Sequence, residues 1–298
     1  MRPFRYARPN ELTDALSLLA EHGSDARVLA GGTDVLVRLR LGHLRPGIVV
    51  DVKHIGELRA DIVETEGRLR IGARAVMTDI IADLRIRRYF PALVEAAAVV
   101  GSVQIRNRAT LAGNICNASP AADTAPVLLA HGATVNLIAS SGPRHVPLHE
   151  FFVGPGRTVL GPSELVESID LPLASGKTGA AFGRVPRRRG VDLATINLCC
   201  LVTESGRVRF GFGAVGPRPF VVEDDLSAVA SAEADTGAPA GGSGRASQDA
   251  ALDRLLAHAT PISDVRANRD YRVAMLSVMI RRTLDAATGR LRLMQSGA

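Results

Sequence analysis

The chain has no tryptophan, only three cysteines, and aromatic side chains at just 4% of its 298 positions. Three thiols, Cys116, Cys199 and Cys200, are too few for the four-thiolate ligation of an iron–sulfur cluster, and no Cys-x-x-Cys or His-Glu-x-x-His spacing offers another metal site. Metal chemistry connected with this protein must therefore sit on another chain. The adjacent pair Cys199-Cys200 falls in a strand-like run and reads as packing rather than redox chemistry. Lysine is nearly absent as well: Lys53 and Lys177 stand alone, so the formal charge of +6 is carried by arginines scattered along the whole length. Such scatter marks a solvated surface, and the dense run Arg184 to Arg189 has no aromatics interleaved for stacking on bases, so nucleic acid is not an expected partner. No stretch approaches the roughly 20 apolar residues that cross a bilayer, and Met1 to Pro9 lack the apolar core of a secretory signal. No membrane span is expected, and the cytoplasm is the expected compartment.

What the chain does have is apolar bulk, 46% of residues, at a length that favours two or three subdomains. It also has two glycine-bearing segments with an anion-binding look. The first, Ala30-Gly31-Gly32-Thr33-Asp34, lies between an apolar run at Arg27 to Ala30 that reads as a strand and Val35 to Arg40, which reads as a helix. Gly31 and Gly32 permit positive φ and close approach of a ligand, Thr33 suits a helix N-cap whose hydroxyl also reaches a phosphate oxygen, and Asp34 offers its amide. The same residues equally make an ordinary strand-to-helix turn. The second segment runs from Thr110 to Asp123. Ser119-Pro120 reads as an N-cap and first helical residue, which puts Asp123 in the first turn of a helix continuing through Ala130. There Asp123 is either a partner of the helix dipole or an acceptor for a sugar hydroxyl, with Gly113 and Asn114 bringing backbone close to a diphosphate.

The rest of the pattern is α+β. Leu12, Ala15, Leu16 and Leu19 after Pro9-Asn10 predict an amphipathic helix capped at its start and closed by Gly23, and Pro46 to Val52 a strand, so residues 1–55 read as β-α-β. Asp61 to Glu64 and Arg68 to Ile71 flank Glu66-Gly67 as a hairpin; helices are expected at Asp79 to Leu84 and Pro91 to Val100, and strands at Ala133 to Ile138, Arg144 to Val146 and Glu164 to Leu171. A third part opens at Thr178 to Val185, with strands at Ala194 to Val202 and Val208 to Val215 joined at Ser205-Gly206. Asp224 to Ala250, rich in Ala, Gly and Ser, reads as a flexible excursion, and helices follow at Ala250 to His258 and Val265 to Ala287.

At the two glycine segments the sequence resembles the flavin-binding medium subunit of the molybdenum hydroxylases, the xanthine dehydrogenase and carbon monoxide dehydrogenase family. The matching residues are Ala30 to Thr33, the run Thr110-Leu111-Ala112-Gly113-Asn114-Ile115-Cys116-Asn117-Ala118-Ser119-Pro120 with Asp123, then Arg187 to Ala194, Gly213 to Pro219, Pro261 to Arg266 and Tyr271-Arg272. They occur in the family's order over almost the whole chain. The resemblance implies an α+β protein: a two-subdomain FAD-binding fold of the vanillyl-alcohol-oxidase type, residues 1–55 and 56–175, plus a C-terminal domain of antiparallel sheet and helices, residues 176–298. It implies that Leu29, Ala30, Gly31, Gly32, Thr33 and Asp34 cradle the FAD pyrophosphate with Thr110, Gly113 and Asn114, that Asp123 holds the ribose, and that Val166 and Arg184 contact the flavin. Phe182 stands where an aromatic covers the isoalloxazine, or is simply a core ring.

The function implied is an electron-transfer oxidoreductase subunit in a heterotrimer, assembled as a dimer of heterotrimers. It takes electrons from a small subunit with [2Fe-2S] clusters, beside a large molybdopterin subunit, and passes them to an external acceptor. A free-standing flavin oxidase or reductase of the same superfamily is the alternative, for which Cys116 is the candidate covalent flavin link. Two positions depart from the family pattern, Arg184 replacing a frequent lysine and Ala112 a frequent glycine, and Thr33-Asp34 stand where carbon monoxide dehydrogenases carry His-Ser.

Overall fold

Three strands too short to hold a sheet alone open the chain: β1 (Arg5–Ala7), β2 (Ala26–Leu29) and β3 (Ile48–Asp51). They pair in parallel, in the order β1-β3-β2, linked by α1 (Leu12–His22) and α2 (Val35–Arg40). The computed structural model describes residues 3–225 and 242–296. All four residues of β3 are buried, as the central strand of a parallel unit requires. The start of α1 differs from the sequence reading: Glu11 occupies the cap position and Asn10 caps nothing, the Leu12 amide donating instead to Glu57 Oε1 at 3.1 Å.

A five-stranded antiparallel sheet follows. Its members are β4 (Ile62–Thr65), β5 (Arg68–Gly72), β6 (Thr134–Ala139), β7 (Gly142–Pro147) and, after the small hairpin of β8 (Phe152–Gly154) and β9 (Arg157–Thr158), β10 (Leu165–Pro172). The order is β4-β5-β10-β6-β7. Arg70 grips Asp170 through two 2.9 Å hydrogen bonds and fixes the register of β5 on β10.

One face of this sheet carries helices α3 (Met77–Ala82), α4 (Leu84–Tyr89), α5 (Pro91–Ala98), α6 (Val103–Arg106), α7 (Leu111–Asn117), α8 (Thr124–Ala130) and α9 (Leu148–Phe151). The single helix expected at Asp79 to Leu84 is two, broken at Asp83, whose carboxylate accepts from the Arg85 and Ile86 amides and so starts a new helix.

The last sheet is an antiparallel meander, β11 (Thr178–Val185), β12 (Ile196–Thr203), β13 (Arg207–Gly213) and β14 (Phe220–Asp225), backed by α10 (Gly242–Ala257) and α11 (Arg269–Ser296). Of the stretch 224–250 expected as a flexible excursion, Asp224 and Asp225 end β14 and the residues from Gly242 lie in α10, while 226–241 lie outside the described residues. The final helix begins four residues later than expected and extends to Ser296. No helix among the described residues is long and apolar enough to cross a membrane.

Every residue of α8 is buried, because one side joins the helical core over the second sheet and the other lies flush on β13. A Cβ on Gly211 would fall 1.9 Å from the Pro126 carbonyl oxygen, so β13 meets the backbone of α8 directly. At the far end of α8, His131 is buried edge-on against Phe90 at 5.0 Å between centroids, and its Nε2 has no partner among the described residues. Burial, assisted by the Arg209 charge, lowers its pKa from 6.5 to about 4. Between those two values the unfolded chain binds a proton that the native chain refuses, so this contribution to stability is present above pH 6.5 and is lost as pH falls toward 4. Urea titrations at a series of pH values are expected to show that His131→Phe removes part of this loss; identical pH profiles for variant and parent would contradict it.

Candidate cofactor site

The five residues between β2 and α2 form the first wall of the site. Gly32 takes φ +78°, a left-handed conformation natural to glycine. Gly31 is needed for a different reason: a Cβ there would sit 2.0 Å from the Arg108 carbonyl oxygen and 3.1 Å from Ala109 Cα. The turn rests directly on the backbone that leads into α7. Asp34, not Thr33, occupies the N-cap position of α2, and neither side chain caps it. The amides of Gly31, Gly32, Thr33 and Asp34 consequently have no acceptor among the described residues. The Asp34 carboxyl is raised by crowding, which Arg38 opposes.

The second wall is a helix start rather than an open glycine turn. Thr110 is the N-cap of α7 and its hydroxyl accepts from the Gly113 amide at 3.0 Å, so that amide is engaged inside the chain and Gly113 offers its exposed Cα instead. Thr110 also bridges to Val76, while the Leu111 amide donates to Ala75 and the Met77 amide to Ala109, pinning α7 beside β5's exit. Asn114 accepts from the Thr124 hydroxyl at 2.7 Å. Ser119-Pro120 does not begin a helix: Ser119 holds the Ala121 and Ala122 amides in a turn, and α8 starts at Thr124 with Asp123 at its N-cap position, one residue outside the first turn it was expected to occupy.

Asp123 draws the third sheet into the site. Its Oδ1 accepts from Arg184 Nε at 3.1 Å and from Asn197 Nδ2 at 2.8 Å, and Asn197 also reaches the Ala121 and Ala122 carbonyls. Burial raises the Asp123 pKa, against the Asn197 hydrogen bond and the charge and hydrogen bond of Arg184. Arg184 additionally donates to the Asp192 carbonyl, which ties the arginine-rich loop to this point. The structure thus joins Gly31, Thr110, Gly113, Asn114, Asp123 and Arg184 in one run of contacts. The other three named side chains are linked to that run by no hydrogen bond: Val166 is buried in β10, Cys116 packs on the central core, and Phe182 lies half-buried on β11 with its amide on Glu95.

Between the two walls lies a cleft of about 190 Å³ lined by Ala30, Gly31 and Thr110, and by cationic residues that the sequence reading missed: Lys53, Arg74 and Arg108. Lys53 Nζ is steered by Asp51 at 2.6 Å, and Asp51 also receives the Tyr6 hydroxyl at 2.6 Å. Burial acts to raise the Asp51 carboxyl, and these two hydrogen bonds, with the Lys53 amide and charge, hold it below its usual range. The available signal was the rarity of lysine: one of only two sits directly after the central strand. A turn with free amides that reaches the cleft at Gly31, and three cations on the cleft's lining, fit a diphosphate, whose oxygens are acceptors only and whose charge is negative.

Two family models divide the chain. Residues 2–174 match the FAD binding domain in molybdopterin dehydrogenase, and residues 180–287 match the CO dehydrogenase flavoprotein C-terminal domain. The chain belongs to the FAD-binding medium subunits of the molybdopterin dehydrogenases. It is 31% identical over 287 residues to the xanthine dehydrogenase FAD-binding subunit of Escherichia coli O157:H7, covering 95% of each chain. It is 32% identical over 291 residues to the carbon monoxide dehydrogenase medium chain of Hydrogenophaga pseudoflava, covering 96% of this chain and 98% of that one. The solved carbon monoxide dehydrogenase from H. pseudoflava, a form lacking the Mo-pyranopterin moiety, superposes with a TM-score of 0.85 at 33% identity over 97% of this chain and 99% of that chain. The protein is therefore a flavoprotein component of an oxidoreductase, and its cofactor is FAD.

Cys116 is partly exposed as a residue, yet its apolar surroundings push its thiol up to about 12, and Cys199 and Cys200 in β12 are raised further by burial. At pH 8 a thiol-specific reagent is expected to label none of the three in the folded chain and all three in urea. Rapid labelling of Cys116 in the native chain would contradict the enclosed setting.

Proposed function

We propose that this chain is the electron-transfer flavoprotein of a heterotrimeric molybdenum hydroxylase, taking electrons from a [2Fe-2S] subunit and delivering them to an external acceptor. The observation that carries the reading is the run of four amides, Gly31 to Asp34, without acceptors among the described residues, in a turn that borders at Ala30 and Gly31 a cleft edged by Lys53, Arg74 and Arg108. In this reading the amides bind the pyrophosphate oxygens, with Leu29 and Ala30 setting the turn's entry and Thr110, Gly113 and Asn114 closing the opposite side. Lys53, Arg74 and Arg108 neutralise the diphosphate charge. Asp123 has one carboxylate oxygen, Oδ2, without a partner among the described residues, and that oxygen is the one left to accept from a ribose hydroxyl. Val166, Phe182, Arg184 and Cys116 would line the flavin end. When bound, FAD supplies a centre that takes up two electrons and exchanges them singly. The chain's own task is to orient the ring and keep one edge accessible; no acid, base or nucleophile is assigned.

The same reading takes residues 1–55 and 56–175 as the two halves of a vanillyl-alcohol-oxidase-type FAD fold and residues 176–298 as the C-terminal domain. It places the chain in the cytoplasm, in a dimer of heterotrimers with iron–sulfur and molybdopterin subunits. Relatives named as subunits or chains of xanthine dehydrogenase and carbon monoxide dehydrogenase support the multi-subunit setting. The raised Cys116 thiol argues for non-covalent FAD and so against the covalent form of a free-standing oxidase.

The purified chain is expected to show a flavin absorption spectrum that acid or heat releases into solution. Gly32→Val, which burdens a left-handed position, and Gly113→Phe are expected to lose FAD while retaining native circular dichroism; full occupancy in both would overturn the site. From the source cell the chain should co-purify with a two-cluster iron–sulfur chain and a large molybdopterin chain, and a solitary, catalytically competent monomer would refute the assembly.

A further inference from the structure

Arg272 is fully buried in the first turn of α11, far along the chain from either glycine segment, and its hydrogen bonds lead back to the cofactor site. One guanidinium nitrogen donates to the carbonyls of Thr195 and Ala214, at 2.5 and 3.1 Å, and the other donates to Asp264 Oδ1 at 2.8 Å. Asp264 is itself gripped by Arg266 at 2.6 Å. Each of the two carbonyls belongs to a segment that holds the turn before α8. Ala214, at φ +61°, is one of three non-glycine residues with positive φ among those described, and its amide donates to the Pro120 carbonyl at 2.6 Å. A left-handed alanine is strained, and here it is held from both sides: its carbonyl by Arg272, its amide by Pro120. Thr195 leads directly into β12, where Asn197 binds the Ala121 and Ala122 carbonyls and Asp123 Oδ1. All four residues of the Pro120 to Asp123 turn are therefore hydrogen-bonded to the two segments that Arg272 joins.

We propose that Arg272 is a positioning residue for the cofactor site: it clamps the Thr195 and Ala214 segments together and thereby fixes the Asp123 carboxylate for FAD, without touching the cofactor. The proposal rests on the FAD reading of the site. It accounts for a buried arginine whose Nε has no partner among the described residues. Such a group is costly in a core that only needed filling. A charge at this place is repaid by Asp264 and by two carbonyls that methionine or leucine leaves unbound.

The test is a double-variant cycle on FAD affinity, measured by flavin fluorescence titration of the full-length apo chain, with Arg272→Met and Asp123→Asn. Arg272→Met is expected to weaken FAD binding by about tenfold, and the double variant to bind no more weakly than Asp123→Asn alone, because both act through one carboxylate. Independent, multiplicative effects, or FAD affinity within about twofold of the parent in Arg272→Met despite a lowered melting temperature, would reduce Arg272 to a structural anchor and overturn the proposal. Should Arg272→Met fail to fold, Asp264→Asn loosens the same guanidinium from its partly exposed side. Faster hydrogen exchange at the Ala121 and Ala122 amides of that variant, with weaker FAD binding, supports the clamp; unchanged exchange and affinity overturn it. A parent chain that binds no FAD would instead refute the FAD reading itself, so the two failures are distinguishable.

Discussion

The approach of Gly31 to the Arg108 carbonyl, too close for any side chain on that residue, is the constraint on which the site depends. It docks the parallel three-stranded unit onto the backbone entering α7, and that same backbone is anchored to Ala75, which accepts from the Leu111 amide, and to Met77, whose amide donates to Ala109. At Gly31 the cleft is thus framed by main chain against main chain, an approach set by the backbone and not by side-chain rotamers. Val52, Ala60 and Val76 add apolar lining, and charge comes from Lys53, held by a buried aspartate, with Arg74 and Arg108. Fixing donors before a ligand arrives lowers the ordering cost that binding would otherwise carry.

A second layer of order comes from Asp123. Its burial disfavours a charge, yet Arg184 and Asn197 share one of its oxygens, and Asn197 is fully buried. An ion pair so enclosed is poor evidence of net stabilisation, but removing one member leaves the other desolvated and uncompensated. Both contacts are made in the arrangement in which β11 and β12 lie against the start of α8.

The long strands and the β2-α2-β3 unit were legible because their apolar runs are bounded by glycine, proline and charge, whereas β1, three residues with no apolar run, was not read; the first glycine turn was legible because Gly31 and Gly32 interrupt such a run. The second segment was legible as a motif but not as structure. Gly113, Asn114 and Asn117 are weak helix formers, and α7 exists because Thr110 caps it and Ala75 receives its first amide, neither of which a local pattern reveals. Ser119-Pro120 has the look of a helix start, yet the start was decided by Asn197, which holds Ala121 and Ala122 from a strand far away in sequence. Lys53, Arg74 and Arg108 lie in three separate turns, after β3, after β5 and between α6 and α7, and have no shared period, so only the folded chain assembles them.

The interlock at Asp123 also orders events in time. Its partners Arg184 and Asn197 lie 61 and 74 residues downstream, and Arg272, which joins the segments that hold the turn, comes later still. A chain emerging from the ribosome can complete its parallel unit and its five-stranded sheet while the turn at 120–123 has nothing to rest on. Contacts of such sequence separation form late because loop closure must precede them. Maturation of this binding site is thereby deferred until α11 has docked, after the two sheets that frame the cleft can form.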